Sequence, residues 1–106
     1  NKLRIRMRQG QDGIKDIYET NDLKMNKWNN FLINYTGGTL DIFINGELVS
    51  SEPGIVPYME FDKVTVGSLP GIHGGICNVE YFNKSLSLST IKNLYGSLKN
   101  KSPPII

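Results

Sequence analysis

The chain has 106 residues, a net charge of +2, 39% hydrophobic residues and 21% charged ones. That composition is ordinary for one globular domain, the charge is too small to imply a nucleic-acid partner, and no run of about 18 apolar residues is available to span a membrane. Cys77 is the single cysteine, which excludes an internal disulfide.

Residues 2–9, KLRIRMRQ, alternate strictly. Leu3, Ile5 and Met7 fall on one side of an extended chain, and Lys2, Arg4, Arg6 and Arg8 on the other. This period of two predicts a strand with one wet face. The arginine row reads as that solvated face, or as a surface for an anionic partner. Gln11-Asp12-Gly13 is turn chemistry, and residues 14–20 can return as the second strand of a hairpin. Residues 21–27 are polar and read as a loop.

Residues 28–36, WNNFLINYT, predict a third strand, with Phe31, Ile33 and Tyr35 on one face and Trp28 and Leu32 on the other. Apolar side chains on both faces are the mark of a central strand. After Gly37-Gly38 comes a fourth, in which Leu40, Ile42 and Ile44 face one way and Asp41 and Phe43 the other. Asn45-Gly46 then predicts a tight hairpin turn, because a type I′ turn needs positive φ at both central residues. The two prolines and the glycine of residues 50–58 predict a crossing loop. Residues 61–68 and 76–82 read as further strands, separated by the glycine-rich loop 69–75. Leu88, Ile91, Leu94, Tyr95 and Leu98 recur at helical spacing. They predict a helix of about ten residues, capped by Ser87 or Ser89, and Gly96 predicts an early end to it. Lys99 and Lys101 suit its C-terminus, and Pro103-Pro104 forbids continuation. Six or seven mostly antiparallel strands and one helix imply an all-β sandwich or barrel.

Catalytic chemistry finds little support in these residues. Asp41 and Glu47 are the carboxylates a hairpin brings near each other, but neither sits in an acidic-aromatic strand motif of the kind a glycosidase needs. Cys77 and His73 could form a nucleophile–base pair, although a small buried thiol near a strand start is the plainer reading. His73 is the only histidine, which leaves zinc without its usual ligands. Asp12, Asp16, Asp22, Asp41 and Asp62 are scattered, so calcium is expected only if distant loops assemble a site. Sugar recognition would draw on aromatic rings. Tyr58 and His73, in loops, are candidate ligand contacts. Phe43 is a third, unless its ring is buried between layers, and the same alternative holds for Trp28. Three N-x-S/T sequons begin at Asn34, Asn83 and Asn100, the first of them inside a predicted strand.

The ordered set Trp28-Asn29-Asn30-Phe31, Leu40 to Val49 with Asn45-Gly46, Val64-Thr65-Val66-Gly67, Gly75-Ile76 and Val79 to Ser87, followed by Ile91 and Leu94-Tyr95, resembles the C-terminal two thirds of a laminin G-like, concanavalin A-like jelly roll. Cys77 stands where the family often has an aspartate, which weakens any inherited metal site. The resemblance implies an antiparallel β-sandwich over residues 1–98 with a tail at 99–106. It also implies either further strands upstream of Asn1 or a minimal variant with open sheet edges, which would pair with neighbouring chains. The implied function is a non-catalytic, lectin-like recognition module, without cofactor, that binds glycans or a protein receptor through its loops. The alternative is a purely structural sandwich packed into a larger assembly such as a capsid. An extracellular or virion location follows from either. The chain is also similar to lectin-like modules of large eukaryotic DNA viruses, and its 32 Asn, Ile and Lys residues fit an A+T-rich genome of that kind.

Overall fold

A computed structural model describes residues 2–9, 13–56 and 74–98. Strands β1 (Leu3–Gln9) and β2 (Gly13–Thr20) form an antiparallel hairpin, and β3 (Phe31–Thr36), β4 (Thr39–Ile44) and β5 (Glu47–Glu52) form a three-stranded antiparallel sheet in the order β3-β4-β5. The two sheets face each other as a β-sandwich, and helix α1 (Leu88–Leu98) follows at the C-terminal side. The expected strand at 61–68, the loop 69–73, Tyr58, His73, Asn100 and the tail 99–106 lie outside the described residues.

The interior is built from alternation. Leu40 (2% exposed) and Ile42 (0%) of β4 meet Ile17 of β2 and Ile55, with Ile5, Met7, Tyr18, Ile44 and Val49 packed around them. Fully burying side chains of this size contributes roughly 1.5–3 kcal/mol each, so this cluster holds the two sheets together.

Two β-bulges enlarge it. In the first hairpin Ile5 opposes Tyr18 and Arg6 opposes Asp16, which leaves Ile17 as the extra residue. In the second, Ile42 opposes Ser50 and Phe43 opposes Leu48, which leaves Val49. A bulge breaks strict alternation. Here each one delivers an additional apolar side chain to the interior, Ile17 beside Tyr18 and Val49 beside the β4 row.

The wet face of β1 carries the arginine row as expected. Arg4 pairs with Glu19 and Arg6 with Asp16 at 2.7 Å, directly across the hairpin. Cross-strand ion pairs this exposed are worth about 0–1 kcal/mol each. With Lys2 also reaching Glu19 at 3.6 Å, the two carboxylates engage three of the four basic side chains of the row, which favours the solvated-face reading over an anion site. Lys15 reaches Glu52 at 3.5 Å and ties β2 to β5 across the sandwich edge.

Three local expectations are revised. Residues 50–52 continue β5 instead of entering the loop, because they complete the ladder opposite Leu40, Asp41 and Ile42. The loop then turns sharply enough to bury Ile55 completely, with its N–H donating to Gly38 O (2.9 Å) and its carbonyl accepting from Tyr35 Oη (2.6 Å). Residues 76–82 run without regular secondary structure, since no described strand offers them a hydrogen-bonding ladder. Helix α1 passes through Gly96 to Leu98. Its start is capped by Ser87, whose Oγ accepts the Thr90 N–H at 3.3 Å.

Candidate binding groove

Between β3 and the segment 75–86 lies a groove of about 780 Å³, a size suited to a small organic ligand or a short oligomer. One wall is the run from Trp28 to Tyr35, the other is Gly75 to Leu86, and Leu94, Tyr95 and Leu98 of α1 close one side.

The segment is pinned at its Leu86 end and passes near Trp28 at Gly75, where an added Cβ would lie 3.9 Å from Trp28 Cη2. At Leu86 the Asn34 side chain acts as a clamp: its Nδ2 donates to Leu86 O (3.1 Å) and its Oδ1 accepts from Leu86 N (3.0 Å). Between these two points the segment has more residues than the stretch from Trp28 to Asn34 does, which gives it slack to bow away from β3. Asn78, at φ 52°, sits in this bowed stretch in the left-handed conformation that asparagine tolerates.

The walls differ in chemistry. On β3, Phe31, Ile33 and Tyr35 are 45%, 55% and 43% exposed. They share the face of Leu40 and Ile42, but the two-stranded sheet opposite does not extend over them. Across the groove, Tyr81 is 84% exposed, and Asn78, Glu80 and Asn83 are exposed polar groups beside it. Aromatic faces together with amides and a carboxylate are the groups that bind sugar rings, stacking on the C–H faces and hydrogen-bonding the hydroxyls.

An asparagine network fixes the Trp28 end. Asn45, at the β4–β5 turn, donates its backbone N–H to Asn30 O (2.9 Å), accepts the Asn30 N–H on Oδ1 (2.8 Å) and donates Nδ2 to Asn29 Oδ1 (3.2 Å). Asn29 in turn accepts the Lys24 N–H and donates to the carbonyls of Lys24 and Lys27. The approach to β3 is thereby stitched to the turn that also carries Gly46.

The sequence candidates fare unequally. Phe43 is only 5% exposed, so its ring is packed away and does not face a ligand. Asp41 and Glu47 do not converge. Asp41 shares a face with Phe43 and accepts from Ser51 Oγ (2.6 Å), whereas Glu47 opposes Ile44 on the other face. Cys77 is exposed in the segment wall, not buried. Among the described residues no group of three or more metal-ligating side chains is present. Of the sequons, Asn34 has both ends of its side chain engaged by Leu86, while Asn83 is exposed. The groove itself was missed, because its walls are far apart in sequence. The aromatic spacing at Trp28 to Tyr35 and at Tyr81-Phe82 was the available signal.

A 2.1 Å crystal structure of residues 221–444 of an S-layer domain-containing protein from Clostridium thermocellum ATCC 27405 is similar to this chain, with 27% identity and a TM-score of 0.53. The similarity covers 89% of this chain but 51% of that one, so the chain spans about half its length. No curated protein matches. A family model described as the concanavalin A-like lectin/glucanases superfamily, of laminin G type, matches residues 1–92. With the sandwich, its order of strands and its closing helix in view, the chain belongs to that laminin G-like family of the concanavalin A-like superfamily.

Proposed function

We propose that this domain is a non-catalytic recognition module that binds a glycan in the groove between β3 and residues 75–86. The observation that carries the reading is the pairing of exposed aromatic rings, Tyr35 and Tyr81, with the exposed polar groups Asn78, Glu80 and Asn83 in one cleft. Membership of a superfamily that includes lectins supports it. Tyr58 and His73 remain proposed loop contacts on sequence grounds alone. Calcium is not required by this reading. Similarity to an S-layer domain-containing protein supports an extracellular or cell-surface place, a virion place rests on the sequence resemblance alone, and the described helix is too short to cross a membrane.

A glycan array read with and without calcium tests the proposal. Saturable binding is expected, with Tyr81→Ala weakening it by about tenfold, the equivalent of one ring-stacking contact of about 1.4 kcal/mol. Tyr81 is nearly fully exposed, so its removal should leave the melting temperature unchanged. Silence on the array, or full binding by Tyr81→Ala, would remove the groove from consideration. A second reading, a structural sandwich that packs into a larger assembly, is favoured by the exposed row Phe31, Ile33 and Tyr35.

A further inference from the structure

Asn45-Gly46 is the only Asn-Gly pair in the chain, and this dipeptide is chemically labile. The backbone nitrogen of Gly46 can attack Asn45 Cγ. A C–N bond forms, the Cγ–Nδ2 bond breaks, and ammonia departs carrying the amide proton. Water then opens the resulting succinimide at either carbonyl, to leave aspartate or isoaspartate. The attack requires the Asn45 carboxamide to swing toward Gly46 N.

We propose that Asn45 is a latent deamidation site which the fold holds shut, so that its conversion records opening of the β4–β5 turn. Both ends of the carboxamide are tied to the chain before β3, Oδ1 to the Asn30 N–H at 2.8 Å and Nδ2 to Asn29 Oδ1 at 3.2 Å. The Asn45 backbone N–H is itself bonded to Asn30 O at 2.9 Å. The side chain cannot turn toward Gly46 without breaking both side-chain bonds. Gly46 is confined as well: it lies at φ 80°, with the Tyr95 ring so close that an added Cβ would sit 2.6 Å from Cδ2. Reaction therefore needs a local opening, and the rate follows the open population.

The product is not neutral for the site. An aspartate at this position has no N–H for Asn29 Oδ1, and it turns a carboxylate oxygen toward an oxygen already held by the Lys24 N–H. Isoaspartate adds a backbone atom to a two-residue turn. Either change loosens the network that holds the Trp28 end of the groove.

The test incubates the full chain in mildly alkaline buffer, folded or unfolded in urea, and maps residue 45 by peptide mass spectrometry. Folded chain should convert at least about tenfold more slowly, because both side-chain hydrogen bonds must open before the attack. The fluorescence of Trp28, the single tryptophan, should change with conversion. Asn29→Ala, with folding checked by circular dichroism, should raise the folded-state rate several-fold. Equal rates in folded and unfolded chain would overturn the proposal, and so would a folded Asn29→Ala variant that converts no faster than the parent.

Discussion

Gly46 is a position where two independent constraints meet. Its φ of 80° lies in the left-handed region, and the Tyr95 ring occupies the space a side chain would enter. The backbone constraint alone costs an L-residue about 1–2 kcal/mol, and the ring contact adds to it. Gly46→Ala should therefore lower stability by about 2–3 kcal/mol, read as a shift of the urea midpoint at constant slope. In a Tyr95→Ala background the same change should cost only the backbone share, about 1–2 kcal/mol. Equal costs in both backgrounds would mean that the ring does not press on the turn. Asn45 next to it, at φ 52°, shows why the dipeptide is Asn-Gly. The turn needs two positive φ angles, and asparagine can meet one while its side chain bonds Asn29 and Asn30 in the chain before β3.

At the scale of elements, the helix shows how local signals compete. Gly96 weakens it, yet α1 continues to Leu98. Ile91 is buried at 2% exposure and Tyr95 rests against the β4–β5 turn, so tertiary contacts outweigh a propensity deficit of roughly 1 kcal/mol. A methyl group at Gly96 would meet nothing within 4 Å. Gly96→Ala should then stabilise the domain by about 0.5–1 kcal/mol, and Ser87→Ala, which removes the cap, should cost about 1 kcal/mol. Thermal melts of the two variants should move in opposite directions; a shared direction would place the helix start or the Gly96 environment elsewhere. Alternation at 3–9 and 39–44 and the Asn45-Gly46 turn were legible in the sequence because each needs only its own residues. The bulges at Ile17 and Val49 were not. A bulge is a mismatch between two strands, decided by what the interior needs filled, and neither strand shows it alone. Residues 76–82 have a strand's pattern but no described ladder partner, and a side-chain pattern cannot supply one.

On the scale of the whole molecule, the same logic separates what was readable of the site from what was not. The opposite sidedness of Phe43 and Ile42 was legible, and so were the two fates open to Phe43, ligand contact or burial between layers; its 5% exposure is the buried one. The groove depends on residues 28–35 meeting 75–86, a long-range pairing fixed by the Asn34–Leu86 clamp. The consequence is an uneven surface. Leu40 and Ile42 are sealed between the sheets, while Phe31, Ile33 and Tyr35 on the same face of the neighbouring strand stay open beside Ile76, Val79 and Phe82. Contiguous apolar exposure of this kind marks a surface that associates, and a strand at the sheet boundary can also add another chain by backbone pairing. Purified chain at micromolar concentration should therefore self-associate, and Ile33→Lys should return it to monomer in sedimentation velocity. Ile33 is 55% exposed, so the lysine ammonium can stay in water and stability should change by no more than about 0.5 kcal/mol. A wild-type chain that sediments as a monomer at every concentration would mean the open β3 face is not sticky enough to assemble.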